Sequence, residues 1–415
     1  MAIIKPFAAL RPTREKAEQV SAPNYDRTSR GLSLEEMQIN PFSYLHVVKP
    51  YLHFKGEKKN PAKHFPLGLE YLKKFKDEKI LIKDESAVFY IYQIIKGSVA
   101  YTSIFALASI DDYLNDIILK HENTLVEKEN ELADHISFFN GLGNPVLLTY
   151  PDNKKIDEVI NRNISEHIPE YNFISADQIK HNLWLIKNES DIKSIEDEFS
   201  KIEKLYIADG HHRTAGFATY CKRKREELIG YSGNELFNFF PVCLIPFEGI
   251  QLFEYHRLIR DKTSVNNQNL ISKINEFFDV IPSGNLPVQP LAKGEFGIYF
   301  NHTAFLLKLK KEFANSLIGT LEKLDVSIVE EYLLKRVFNI NDSRTDKRLS
   351  FIDGSKGILT LEKMVDDGHF DLAITLFPTS IEEMKKVADE KLIMPPKSTW
   401  IEPKIRTGLL IFETI

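Results

Sequence analysis

Cysteine is almost absent from this chain. Cys221 and Cys243 are the two that occur, and they stand in no CxxC spacing. That excludes a disulfide scaffold and makes a reducing, cytoplasmic compartment the expectation. Strong charge of one sign is also missing. Lys and Arg total 54 against 59 Asp and Glu, a formal net charge of −5. Non-specific nucleic-acid or membrane attraction needs an excess of cations that this chain does not have, so neither partner is expected. Long apolar runs are lacking too. The most apolar stretch, Val88 to Ile110, is broken by Gln93, Lys96 and Gly97 and is rich in β-branched and aromatic residues. It reads as two strands around a Lys-Gly-Ser turn rather than a bilayer span. The start, Met1 to Pro12, is broken by Lys5 and Pro6 and lacks the apolar core of a signal peptide.

Several catalytic signatures are absent as well. There is no GxxxxGK[ST] loop, no HExxH helix and no GxSxG elbow, and Gly141-Leu-Gly143 lacks the third glycine of a dinucleotide fingerprint. A nucleotide site here has to be built in an unconventional way.

What is present is an ordinary globular composition, 43% hydrophobic and 27% charged over 415 residues. The periodicity alternates between helix and strand without an internal repeat, which predicts a mixed α/β (α+β) fold. Helices are expected at Leu67–Lys79, 124–139, Ile156–His167, Asp191–Lys204, His211–Glu227, Gln268–Asp279, Val326–Phe338 and Ser380–Lys391. Strands are expected at Val88–Ile95, Val99–Ile110, Pro145–Tyr150, Asn182–Ile186, Leu205–Ala208, Phe240–Pro246, Phe296–Phe300, Thr303–Leu309, Leu372–Phe377 and Leu409–Phe412. Polar Thr263–Asn269 and Pro- and Gly-rich Pro282–Gly294 suggest a division near residue 250. The expected domains are 1–249, carrying the site, and 250–415, an α/β region. Ser380 with Glu383 has the spacing of a capping box, and so has Thr124 with Glu127.

Three constellations can carry chemistry. In the first, the apolar strand at Leu205 runs through Asp209-Gly210 straight into a helix at His211-His212-Arg213-Thr214. Free backbone N–H groups and the positive end of the helix dipole face outward there, a geometry that suits phosphate. Histidine and arginine donors lie in the same turn. The plain alternative is an Asp-Gly turn with packed histidines. Adjacent helical residues diverge by about 100°, and no third ligand is spaced nearby, so a metal site is not expected.

The second constellation is Lys120-His121-Glu122, a loop before a helix. Glu122 can act as a general base, with Lys120 or His121 tuning it or meeting an anion; the alternative is a solvated loop. The third is Met394 to Gly408, where prolines stiffen a loop bearing Lys397, Ser398, Thr399, Lys404 and Arg406. That surface can neutralise phosphate or simply lead into an edge strand. Basic Lys222–Arg225 reads as a solvated helix end.

Taken together, Ile4-Lys-Pro-Phe7, Tyr25-Asp26, Lys120-His-Glu-x-Thr124, Tyr206 to Arg213, His256-Arg257, Ile352-Asp-Gly354, Pro395-Pro-Lys-Ser-Thr399 and Pro403-Lys404 resemble the DUF1015 family across nearly the whole chain. The His-Glu pair and the Asp-Gly-His-x-Arg turn also resemble those of the free serine kinases, which implies a ParB/sulfiredoxin-like core with large insertions. The resemblance further implies Glu122 as the base on an acceptor hydroxyl, with His121 beside it, and Asp209 to Arg213 on nucleotide phosphates. ADP or ATP with Mg²⁺ is then the expected cofactor, and a small hydroxyl metabolite, first of all L-serine, the expected partner. The rival expectation is a non-catalytic nucleotide or metabolite sensor on the same fold.

Overall fold

The computed structural model describes residues 1–23, 30–54, 60–228, 230–265 and 269–415. Tyr25 and Asp26 lie outside the described residues. The chain forms a mixed α/β structure in two compact units, Met1–Ile250 with Pro403–Ile415, and Gln251–Glu402. The closing segment therefore belongs to the first unit, and the region after residue 250 is not one continuous domain. Backbone pairing is the cause. Phe412 and Glu413 pair with Leu142 and Gly141, and bridges join Ile411 to Leu10 and Thr407 to Ala22.

The first unit is built on a nine-stranded mixed sheet. Its order is Ile118–Leu119, Leu205–Asp209, Val146–Tyr150, Phe239–Pro246, Val99–Ser109, Phe89–Lys96, Lys180–Ile186 and Tyr171–Ile174, with Ile4–Lys5 also pairing on Val99–Ser109. The centre consists of residues whose alternate side chains are all apolar. Val242, Cys243 and Leu244 are fully buried, as are Phe89, Tyr90, Ile91 and Tyr92, which marks a sheet covered on both faces. Beside it, Leu10, Val20, Leu45, Phe75 and Phe139 form a separate apolar cluster with Ile411 from the closing segment.

Helix ends follow local chemistry. Asn60, Asn153 and Asn188 each accept a first-turn N–H, starting the helices Pro61–Asp77, Lys154–Glu166 and Glu189–Phe199. The expected Thr124–Glu127 capping box does not form. The helix begins at Val126 with Leu125 at the cap position, and the Thr124 hydroxyl instead donates to Glu129.

The second unit holds a six-stranded antiparallel sheet in the order Phe278–Gly284, Thr303–Leu309, Glu295–Phe300, Leu372–Leu376, Tyr255–Ile259 and Leu349–Asp353. A short pair, Gln251–Phe253 with Trp400–Glu402, closes it off. The Ser380 capping box is complete in both directions. The helix expected at Val326–Phe338 starts at Asp325 and widens into a π-helical stretch at Val329–Lys335. Among the described residues no helix is long and apolar enough to cross a membrane.

Candidate functional site

Strand order places the candidate residues. Leu205–Asp209 runs parallel to Ile118–Leu119, with Leu205 opposite Ile118 and Tyr206 opposite Leu119. Parallel neighbours end on the same side of the sheet. The loop Lys120-His121-Glu122 and the turn Asp209-Gly210-His211 therefore leave the sheet side by side, at the carboxyl ends where α/β folds place ligands. On its other side Leu205–Asp209 runs antiparallel to Val146–Tyr150, so Asn144 and Pro145, which lead into that strand, arrive at the same end. A bulge between Ile207 and Asp209 shifts the register just before the turn.

Gly210 holds φ at 105°, a conformation L side chains avoid. A Cβ added there would lie 2.8 Å from Arg213 Nε. The turn can thus be tight only with glycine. The helix His211–Glu227 starts immediately after it, and Gly210 at the cap position has no side chain with which to cap it.

His211 is buried, and its neighbours determine its tautomer. Nε2 accepts the backbone N–H of His121 at 3.4 Å, so the proton of the neutral ring sits on Nδ1. That nitrogen is 3.6 Å from Glu122 Oε2. Burial pushes the His211 pKa down to about 3, so the ring is neutral at physiological pH. Glu122 keeps 37% of its side-chain exposure, which leaves it held yet accessible.

His121 is 1% exposed, and its ring meets that of His211 edge-on with centroids 4.5 Å apart. Neither of its ring nitrogens has a hydrogen-bond partner among the described residues. Burial, followed by the nearby His211, pushes its pKa down to about 3. A buried imidazole with both nitrogens unpaired is unusual enough to require a reason.

Arg213 departs from the expected phosphate grip. Nη1 donates to Asn144 Oδ1 at 2.5 Å and to the Pro145 carbonyl at 2.7 Å, while Nη2 donates to Asp209 Oδ2 at 2.5 Å. The guanidinium ties three segments together from inside the turn. Asp209's other oxygen is 3.4 Å from Lys404 Nζ, in the closing segment. With its two oxygens facing cations, Asp209 does not fit a magnesium ligand. Among the described residues no group of three or more histidine, cysteine or acidic side chains is arranged to hold a metal. Thr214 uses its hydroxyl within the helix, donating to the Gly210 carbonyl at 3.2 Å. Lys120 is exposed, its ammonium 5.9 Å from the Tyr113 ring centroid. His212 is half-buried on the first turn.

Lys397, Ser398 and Thr399 belong to the second unit. There the Ser398 hydroxyl donates to the Pro395 carbonyl at 2.7 Å, and the Lys397 ammonium lies 5.3 Å over the Tyr255 ring. Asn144 was missed by sequence reasoning. The Gly143-Asn-Pro145 turn signal before an apolar strand marked the position, but its role as acceptor for Arg213 depends on a pairing between distant segments.

A family model described as a protein of unknown function, DUF1015, matches residues 4–327. The chain belongs to the DUF1015 family. No curated protein matches it. Among solved structures, a free serine kinase in complex with AMP is similar at 13% identity, over 74% of this chain and 91% of that one, with a TM-score of 0.37. A conserved hypothetical protein from Pyrococcus furiosus is similar at 15% identity, over 74% and 95%, with a TM-score of 0.36. C-terminally truncated SbnI from Staphylococcus aureus stands at 11%, over 74% and 85%, with 0.37. At these TM-scores the likenesses carry no argument about this DUF1015 chain.

Proposed function

We propose that the first unit is a small-molecule phosphotransferase, moving a phosphoryl group from ADP or ATP to a hydroxyl acceptor, with free L-serine the first candidate. One observation carries this reading. Glu122 lies beside an uncapped, glycine-initiated helix start, 3.6 Å from a neutral histidine that accepts the His121 N–H. A base and an anion cradle thus share one sheet end.

Phosphoryl transfer asks a protein mainly for positioning and charge neutralisation. In this reading the first-turn N–H groups of the helix receive the phosphates, and Lys120 lies on the loop beside them. His211 accepts the His121 backbone N–H and faces Glu122, so in this reading it sits against the base rather than on the nucleotide. Glu122 takes the acceptor's hydroxyl proton as its oxygen attacks the terminal phosphorus. The bond from that phosphorus to the bridging oxygen breaks, and ADP or AMP leaves. Magnesium, where it takes part, arrives with the nucleotide.

A second reading is a nucleotide or metabolite sensor without turnover. It is favoured by Arg213, which spends both terminal nitrogens inside the protein rather than on a ligand. Phosphorus NMR of the full chain with Mg²⁺, ADP or ATP and a panel of hydroxyl metabolites separates the two. A phosphomonoester product that disappears in Glu122→Gln supports the transferase. Nucleotide binding without product from any acceptor supports the sensor.

A further inference from the structure

The strand Tyr255–Ile259 lies inside the six-stranded sheet of the second unit, between Leu349–Asp353 and Leu372–Leu376. Successive side chains point to opposite faces. Leu258 packs on one face with Tyr299, Ile352 and Leu361. His256, on that same face, is satisfied. Its Nδ1 accepts the Leu376 N–H at 3.4 Å, so Nε2 carries the proton that faces Glu254 Oε1 at 3.2 Å. Gly354 leaves room for that carboxylate, since a Cβ there would lie 2.5 Å from its carbon.

Arg257, on the opposite face, is a different case. Its relative exposure is 0%, yet among the described residues its one hydrogen-bond partner is the Tyr255 carbonyl, reached from Nη1. Nε is buried without a partner, and no carboxylate forms an ion pair with the guanidinium among the described residues. Phe351, its cross-strand neighbour, offers a ring centroid 5.0 Å from the guanidinium carbon. A ring face returns far less than the hydration a buried cation gives up. Glu330 attracts it electrostatically without a bond, from the π-helical stretch Val329–Lys335, a backbone form frequent at functional sites. Burial pushes the Arg257 pKa down only to about 10, so the side chain stays charged. Buried cations are ordinarily paired, and a guanidinium fork matches carboxylate and phosphoryl oxygens two at a time.

We infer that Arg257 anchors an anion site in the second unit, taking the carboxylate or phosphoryl group of a small metabolite on its unpaired donors. The His256-Arg257 pair then divides its work: His256 holds the strand through Glu254 and Leu376, and Arg257 meets the ligand.

Trp400 provides a local reporter, because its ring packs edge-on against Tyr255 with centroids 5.8 Å apart. With Trp184→Phe, Trp400 is the one remaining tryptophan of the full chain. That chain is titrated with inorganic phosphate and, separately, with succinate at constant ionic strength. The expected result is a saturable change in Trp400 fluorescence with at least one of the two, and the responding anion identifies the group. Arg257→Met should abolish it, and Arg257→Lys, which keeps the charge but loses the fork, should weaken the affinity at least about tenfold. No saturable change with either anion, or an equal response in Arg257→Met, overturns the inference. Where Arg257→Met does not fold, Arg257→Lys decides alone, and an unchanged affinity overturns it.

Discussion

His211 Nδ1 lies 3.6 Å from Glu122 Oε2, while its Nε2 accepts the backbone N–H of His121. One neutral ring therefore bridges a loop and a helix start that are 90 positions apart in the chain. The uncharged ring thus faces the carboxylate at a distance just beyond a direct hydrogen bond.

If Glu122 is the base, Glu122→Gln should keep the shape of the side chain and an oxygen facing the Nδ1 proton, but lose the proton acceptor. Product formation is expected to fall by about 100-fold or more, the usual range for removing a general base. Nucleotide affinity should change little. Phosphorus NMR for turnover and calorimetry for binding check the two halves, and a parallel loss of both would sink the assignment.

The buried histidines make stability fall with acid. Burial pushes His121, His181 and His211 each down to about 3. In the unfolded chain each titrates near about 6.5, so below that pH the unfolded state binds protons that the folded state refuses. Their contribution is fully present above about pH 6.5 and declines as the pH drops toward 3, each by up to about 1.4 kcal/mol per pH unit. Urea midpoints should hold level from pH 7.5 to about 6.5 and then fall steadily toward pH 5. His181→Phe should flatten that slope, and midpoints independent of pH over this range would show the rings charging in the folded protein.

Arg213 behaves as a structural clasp in this geometry. Replacing it with Met deprives Asp209, 16% exposed at its side chain, of its guanidinium partner and strips the Asn144 amide oxygen of its donor. Breaking a buried pair from one side costs about 3–5 kcal/mol, so the urea midpoint should drop sharply whether or not ligand is present. A variant of normal stability that had lost only nucleotide affinity would return Arg213 to the phosphate-gripping role expected from its position.

How much of this was legible in the sequence depends on how far each contact reaches. The strand-glycine-helix turn at Leu205–His211 and the Ser380 capping box are local, readable from spacing and residue type, and present. Thr124 shows the limit of the same logic, because its hydroxyl found Glu129 one turn away and the helix started at Val126. The pairing of Leu205–Asp209 with both Ile118–Leu119 and Val146–Tyr150 is long-range and left no spacing signal. That pairing is what brings Glu122 to His211 and Asn144 to Arg213. The return of Phe412 to Leu142 is of the same kind, since a strand so short carries too little periodicity to name its partner.

His121 gives the sharpest test of whether the site binds anything. Among the described residues its two buried ring nitrogens have no partners, so the ring acts as an apolar plate that has surrendered its hydration. Replacing it with Phe removes those unsatisfied atoms while keeping a flat ring against His211, and the backbone N–H that His211 accepts is retained. Stability near pH 7.5 should be unchanged or higher, by about 1–2 kcal/mol, because an unmade hydrogen bond disappears. If the imidazole exists to meet a ligand, the same variant should lose nucleotide or acceptor affinity at least about tenfold, the worth of one hydrogen bond in a buried site. Thermal melts and calorimetry on His121→Phe read the two effects independently. A more stable protein that binds less would show that the ring is kept for function, whereas unchanged binding would leave His121 a packing residue and confine the chemistry to Glu122 and the helix start.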